Sequence, residues 1–190
     1  MNRKERILQA ALDLVKTEGF DGATVRRIAS RAGVNAALVN YHFGSKERLL
    51  NAAVRRLADS FRETFAVLDE ADAPPRERLR RFLLQYVSLA RQYPFIVQRM
   101  LADDPSFFDT RMAYAEFLRN IGVKRVQRTI GEICGERDPG KLTVMMTHLL
   151  GAAFLPVLIE PLYRQVTGQP FPEAEKRIDM LLERYFPECP

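Results

Sequence analysis

The fold of this chain is decided by residues 25–43, which read VRRIASRAGVNAALVNYHF. Two short helices that cross closely need a small side chain where they meet, and Ala29 supplies one. Four positions later, Gly33 tolerates the positive φ angle that a tight turn between the helices requires. These two residues at this spacing predict a helix-turn-helix.

Capping and hydrophobic spacing agree with this prediction. Thr24 and Asn35 are good N-caps, which predicts helices at about 25–31 and 36–42. The residues expected to hold the two helices together are apolar and fall at inner positions: Ile28, Ala32, Val34 and Val39. A helix-turn-helix places its second helix in the major groove of DNA, so the stretch predicts a DNA-binding protein.

The outward side chains of the second helix are the candidates for reading bases. Asparagine can pair with N6 and N7 of adenine, and alanine can pack on the thymine methyl group. On this basis we expect base contacts from Asn35, Ala36, Ala37 and Asn40. Leu38 lies four residues after Val34, and the sequence leaves open whether it joins the core or makes apolar contact with a base.

A second set of residues is placed to bind phosphates without reading sequence. Tyr41 and Lys46 can reach the DNA backbone, and Thr24 opens a helix whose first amides favour an anion. Arg26 is the basic residue best placed beside Thr24. His42 is expected to pack or to hydrogen-bond to phosphate, because no cluster of metal ligands surrounds it in the sequence.

Helical periodicity continues through the rest of the chain, and no stretch shows the sustained alternation of a β-strand. We predict an all-α fold with an N-terminal head of three helices on a larger C-terminal helical bundle. The head is assigned to residues 1–46 and the bundle to residues 47–190. About nine helices are expected, near residues 3–18, 25–31, 36–42, 46–69, 76–92, 94–101, 107–134, 141–166 and 172–185.

Charge and cysteine content narrow the class of protein. Residues 1–50 carry nine Lys and Arg against five Asp and Glu, so they hold +4 of the net charge of +5. A basic head on a nearly neutral body fits binding to a polyanion. Cys134 and Cys189 form no metal-ligand pattern and are expected to be reduced thiols.

The sequence contains no nucleophile–base–acid constellation and no glycine-rich phosphate loop. We therefore predict that the protein is not an enzyme and has no cofactor and no bound metal. The first 20 residues are charged and amphipathic and lack the apolar core of a signal peptide, so we expect a cytoplasmic protein.

One apolar stretch, Leu142–Ile159, has no charged residue and is long enough to be considered as a membrane span. Polar and helix-bending residues interrupt it, namely Thr143, Thr147, His148 and Pro156. We therefore interpret it as a buried core helix or a subunit-interface helix.

The stretch from Ile7 to Leu50 resembles the DNA-binding domain of TetR-family regulators. The similar segments are ILQAALDLVKTEGF, ATVRRIASRAGV and NAALVNYHFGSKERLL. The piece most specific to the family is YHF at 41–43, followed by KE at 46–47 and LL at 49–50. The resemblance implies phosphate contacts at Thr24, Tyr41 and Lys46 and base-reading positions at Ala36, Ala37, Leu38 and Asn40.

The resemblance also implies a homodimer that binds a double-stranded DNA operator, with repression as the usual outcome. Residues 47–190 would then bind a small molecule and dimerise through the last two long helices. Ligand binding would change the separation of the two reading heads. The small residues Gly151-Ala152-Ala153 would allow close helix crossing in an intersubunit four-helix bundle.

Aromatic and methionine side chains of the C-terminal helices are candidates for lining a pocket for an apolar ligand, since Met adapts to irregular shapes. They are Phe95, Met100, Met112, Phe117, Met146 and Phe154. The same residue types at helical spacing are usually core. The alternative hypothesis is a DNA-binding protein of the same fold that is regulated by a protein partner instead of a small molecule.

Overall fold

The computed structural model describes residues 2–101 and 108–187, with the side chains at 99–101, 108–111 and 114 left undescribed. Within these ranges the chain forms nine helices and no strand, which confirms the predicted all-α class. The helices before the loop at 70–74 are α1 Arg3–Gly22, α2 Val25–Ala32, α3 Ala36–Phe43 and α4 Lys46–Thr64. The later ones are α5 Pro75–Gln92, α6 Pro94–Leu101, α7 Phe108–Cys134, α8 Pro139–Thr167 and α9 Ala174–Tyr185.

The helices of the head begin where their capping residues predict. The Thr24 hydroxyl accepts a hydrogen bond from the Arg27 amide, and the Asn35 side chain accepts one from the Ala37 amide at 2.9 Å. Ser45 caps α4 in the same way, 3.2 Å from the amide of Arg48. Each cap satisfies one of the amides that the first turn of a helix leaves without a partner.

Helices α4 and α7 depart from the predicted regular form, and α1 extends to Gly22, beyond its predicted end near residue 18. The α-helical part of α4 ends at Thr64, and a 3-10 segment, Phe65–Asp69, completes the predicted length. In α7, α-helical segments Phe108–Phe117 and Val123–Cys134 flank a π-helical turn at Leu118–Gly122. The predicted start of α7 at Phe107 lies outside the described residues. Cys134 is an exposed thiol, and Cys189 also lies outside the described residues.

Packing divides the chain into two compact units. The first unit comprises Met1–Ser60 and Gln92–Tyr114, and the second comprises Phe61–Arg91 and Ala115–Pro190. The first unit includes α6 because this helix packs against α1, and Lys16 Nζ of α1 lies 5.7 Å from the ring centre of Tyr93, the residue before α6. The functional division into residues 1–46 and 47–190 remains a prediction.

The second unit is organised around an aromatic cluster and a buried arginine. The rings of Phe65 and Phe82 lie 4.7 Å apart, and Tyr86 packs against both. Arg78 is buried and donates a 2.7 Å hydrogen bond to the Leu68 carbonyl, so it fixes the 3-10 segment to α5.

The long helix α8 has one buried and one exposed apolar face. Its buried residues are Met146, Leu149, Ala153 and Val157. It is the one helix in the described ranges that is long and apolar enough to span a membrane, with a mean hydropathy of 2.0 over 18 residues, of which 28% are buried. A helix buried in the core of one chain does not fit this exposure, and the interpretation as a subunit-interface helix remains a prediction.

Candidate DNA-binding interface

The turn between α2 and α3 has the geometry that the sequence predicts. Gly33 lies in the left-handed region, at φ 63° and ψ 43°. Its amide donates to the Ser30 carbonyl at 3.1 Å, and the Val34 amide donates to the Ala29 carbonyl at 3.0 Å. These bonds close the end of α2 and turn the chain directly into α3.

A small apolar core holds α3 against the rest of the head. Ile28, Ala29 and Ala32 of α2 are buried, and so are Val39 and Phe43 of α3. Because Val39 and Phe43 are four residues apart, they define one inward face of α3 and leave the opposite face to the surface.

The predicted DNA-contact residues lie on this surface. The exposed ones are Thr24, Arg26, Asn35, Ala37, Asn40, Tyr41 and His42, and the half-buried ones are Ala36, Leu38 and Lys46. Tyr41 stands out, since 83% of its surface is accessible although it is a large aromatic residue. Leu38 is partly covered by the head and partly accessible, so it retains surface for an apolar contact with a base.

Contacts between α1 and α2 are the part of this site that sequence reasoning missed. Arg27 forms an ion pair with Glu18, and Arg31 forms one with Asp13 at 3.7 Å. The hydrogen bond from Arg27 lowers the pKa of the Glu18 carboxyl. Arg6 of α1 adds a third contact by donating to the carbonyl of Ala32.

These contacts distinguish the basic residues of α2 from one another. Arg27 and Arg31 face carboxylates of α1, whereas the exposed Arg26 makes no ion pair within the described part of the chain. The first turn of α2 contains no acidic residue, so the positive end of its dipole is not neutralised locally. Arg26 and the start of α2 together form a surface suited to an anion such as a DNA phosphate.

Residues 7–53 match the model of a family described as bacterial regulatory proteins of the tetR family. The transcriptional regulator BetI of Rhizobium meliloti is 39% identical over 77 residues, which are 40% of this chain and 38% of that protein. The solved structure of a TetR-like transcriptional regulator from Rhodococcus sp. RHA1 aligns with 96% of this chain and 93% of its own, with a TM-score of 0.69 and 19% identity.

Residues 7–53 are therefore a DNA-binding domain of the TetR family. The structure of AibR in complex with isovaleryl coenzyme A and operator DNA shares the fold of this chain, with a TM-score of 0.67 and 22% identity over 98% of this chain and 99% of that one. At identities of 19% and 22%, these structural similarities concern the fold alone. The chain spans about two fifths of the length of the BetI relative.

The six predicted ligand-lining residues fall in different units. Phe95 and Met112 belong to the first unit and are exposed. Met100 lies in α6, and its side chain is outside the described residues. The other three belong to the second unit and are Phe117, Met146 and Phe154.

Within the second unit, two of these residues join the aromatic cluster. The Phe117 ring lies 5.3 Å from Phe65, and the Phe154 ring lies 5.8 Å from Tyr86. Met146 is buried on the inner face of α8. These contacts are those of core residues, which was the alternative interpretation of the pattern, and a ligand-lining role remains a prediction.

An open cleft of about 330 Å³ lies between the start of α5 and the end of α9. Five of its seven lining residues are charged, and two of these, Arg80 and Asp179, form an ion pair whose nearest atoms are 2.6 Å apart. The cleft is lined by Pro74, Arg76, Glu77, Arg80, Asp179, Leu182 and Glu183. None of the six predicted ligand-lining residues is among them.

Proposed function

We propose that this TetR-family chain is a transcriptional repressor that binds a palindromic DNA operator as a homodimer and is released by a small apolar molecule. The observation that carries the proposal is the surface of α3. The buried side chains of Val39 and Phe43 anchor this helix to the head, and its opposite face, between Asn35 and His42, is exposed. A short helix presented in this way by a tight turn has the shape that enters the major groove.

The chemistry of α3 supports a particular division of contacts. Asn40 offers an amide that can pair with adenine, and Ala37 offers a methyl group to thymine. Tyr41 and Lys46 lie near the end of the exposed face and would contact phosphates. Because few side chains on α3 can form hydrogen bonds with bases, DNA shape would supply part of the sequence specificity.

The exposed face of α8 supports dimerisation by a second copy of the chain. Four of its large apolar residues are exposed: Val144, Leu155, Leu162 and Val166. Together with the exposed Gly151, they recur at helical spacing and so form one face of α8. A hydrogen bond between His148 of α8 and Tyr185 of α9 connects the two helices. Two such helix pairs facing each other would bury this surface in a four-helix bundle.

Dimerisation sets the form of the operator. A two-fold symmetric dimer presents two α3 helices to half-sites that are one helical turn of DNA (~34 Å) or a multiple of it apart. A ligand would weaken DNA binding only if it favoured a dimer geometry in which the two helices no longer match this spacing. The AibR structure, which contains both isovaleryl coenzyme A and operator DNA, supports binding of a small molecule and of an operator by one protein of this fold.

The proposal is tested by selecting bound sequences from a pool of random double-stranded DNA with the purified full chain. We expect enrichment of a palindromic sequence, and no enrichment with a variant that combines Tyr41→Ala and Lys46→Ala. Lys124→Ala, which removes an exposed charge from α7, is the matched control and should enrich the same sequence. Failure of the wild-type chain to enrich any sequence would refute the proposal.

Regulation by a small molecule is tested separately from DNA binding. A ligand that binds the folded chain raises its melting temperature when its concentration exceeds its Kd, so a broad panel of metabolites can be screened by thermal denaturation. A stabilising compound should also release the selected DNA. If no compound in the panel stabilises the protein, the alternative of a protein partner gains support.

A further inference from the structure

Arg6 of α1 reaches across the head to the end of α2. Its Nη2 atom donates a 2.6 Å hydrogen bond to the carbonyl oxygen of Ala32, which is 26 residues away in sequence. Ala32 is the last residue of α2, where a carbonyl has no partner within the helix. A guanidinium at this point satisfies that carbonyl and also faces the negative end of the helix dipole.

Gly33 leaves the space that the Arg6 side chain occupies. A Cβ atom built on Gly33 would lie 2.8 Å from Nη2 of Arg6, closer than these atoms can approach. The glycine therefore meets two requirements at once, since it also adopts the positive φ of the turn. Arg6 and Gly33 form a matched pair, in which the missing side chain of one admits the guanidinium of the other.

We propose that Arg6 is a positioning residue for DNA reading, which rests on the proposed function of α3. By holding the Ala32 carbonyl it fixes the end of α2 and the turn, and the turn sets the direction in which α3 leaves. In its absence the turn samples other conformations, and only the competent fraction of molecules binds the operator. Arg6 acts through the backbone of the turn and makes no contact with DNA.

The first test compares Arg6→Gln with Arg3→Gln in the full chain. Both variants remove one positive charge from an exposed position on α1, but only the first removes the bond to Ala32. We expect Arg6→Gln to bind the selected operator about tenfold more weakly, because a hydrogen bond from a charged donor is lost from the turn. Arg3→Gln should stay within about twofold of the wild type, since it leaves that bond in place.

The salt dependence of binding separates positioning from a direct phosphate contact. Loss of one phosphate contact reduces the slope of log affinity against log salt by about 0.9. A positioning residue leaves the slope unchanged, so Arg6→Gln should give a parallel line displaced to weaker binding. A slope reduced by about 0.9 would overturn the proposal in favour of a direct contact.

Amide hydrogen exchange provides a readout that does not depend on DNA. The amides of Gly33 and Val34 should exchange faster in Arg6→Gln than in the wild type, while the amide of Ile130 in the second unit exchanges at the same rate. Unchanged exchange at Gly33 and Val34 would refute the proposal. If the wild-type chain binds no DNA, the proposed function fails, and this measurement still decides whether Arg6 holds the turn.

A double-mutant cycle with Gly33→Ala tests the matched pair directly. The added methyl group displaces the Arg6 guanidinium, so Arg6→Gln should cost less than about twofold in operator affinity when it is introduced into Gly33→Ala. If Arg6→Gln still weakened operator binding tenfold in Gly33→Ala, the contact of Arg6 with the turn would not be the cause of the weaker binding. Should Gly33→Ala prove too unstable to measure, the exchange comparison of Arg6→Gln decides the question.

Discussion

Replacing Arg78 by methionine tests how the second unit is held together. Arg78 is only 9% exposed, and its Nη1 atom donates to the carbonyl of Leu68, a residue with no accessible surface. Methionine fills much of the same space but donates nothing. Leaving a buried carbonyl without its donor costs about 1–3 kcal/mol, and losing the ion pair with the partly exposed Glu132 adds about 0–1 kcal/mol.

The expected loss of unfolding free energy is therefore about 1–4 kcal/mol. For a chain of this size that corresponds to a melting temperature lower by roughly 2–16 °C. The assay is urea denaturation followed by circular dichroism, with all variants at one protein concentration because the proposed dimerisation would contribute to stability.

Arg80→Met is the matched control. Arg80 also lies on α5 and also pairs with a carboxylate, that of Asp179, but both side chains are substantially exposed. Its removal should cost about 0–1 kcal/mol, as for other surface ion pairs. If Arg78→Met destabilises the protein no more than Arg80→Met, then the buried hydrogen bond to Leu68 does not stabilise the fold as argued.

Three further predictions concern the DNA-binding face, the dimer and pH. Tyr41→Ala and Lys46→Ala should weaken binding to all DNA sequences alike, whereas Asn40→Ala should change the preferred sequence, as measured by selection and by titration of individual sites. Leu155→Glu places a charge at a residue that is 51% exposed on α8 and should convert the dimer to monomers in sedimentation experiments. Glu136 accepts hydrogen bonds from the amides of Asp138 and Arg137 and pairs with Lys141, which lowers its pKa to about 2. Its stabilising effect is therefore complete above the ordinary pKa of 4.5 and is lost as the pH falls towards 2, so Glu136→Gln should destabilise the chain at neutral pH and progressively less in acid.

Each of these predictions has a result that would contradict it. An unchanged sequence preference at full affinity in Asn40→Ala would show that this residue does not face the bases. If Leu155→Glu remains a dimer, the subunit interface lies elsewhere. Lys124→Glu on α7 is the control for added negative charge and should leave the dimer intact. A constant stability difference between Glu136→Gln and the wild type across the acid range would mean that the carboxylate charge has no part in stabilising the loop.

Features that depend on a few neighbouring residues were predictable from the sequence. The caps at Thr24, Asn35 and Ser45 each involve one side chain and an amide two or three residues away. The turn at Gly33 depends on the φ angle of a single residue. The all-α class follows from helical periodicity, which persists over whole helices and needs no knowledge of their packing.

Features that depend on how helices cross were not predictable in this way. The bond from Arg6 to Ala32 joins residues 26 positions apart, and no local pattern marks it. The π-helical turn of α7 places the buried Gly122 against the ring of Phe65, where a Cβ atom would come within 3.1 Å. A pocket and a core use the same aromatic and methionine residues, so spacing alone does not separate a ligand-lining role from packing.

On the proposed function, the ion pairs of α2 with α1 would affect how the protein searches a genome. Arg27 and Arg31 are already matched by Glu18 and Asp13, so fewer of the basic residues in the head are available to attract any passing stretch of DNA. Non-specific affinity rises steeply with the number of phosphates that a protein neutralises, and a chromosome offers a vast excess of non-specific sites. Because these arginines are paired within the head, a smaller share of the molecules would be bound to non-specific DNA. Fewer copies per cell would then be needed to keep an operator occupied.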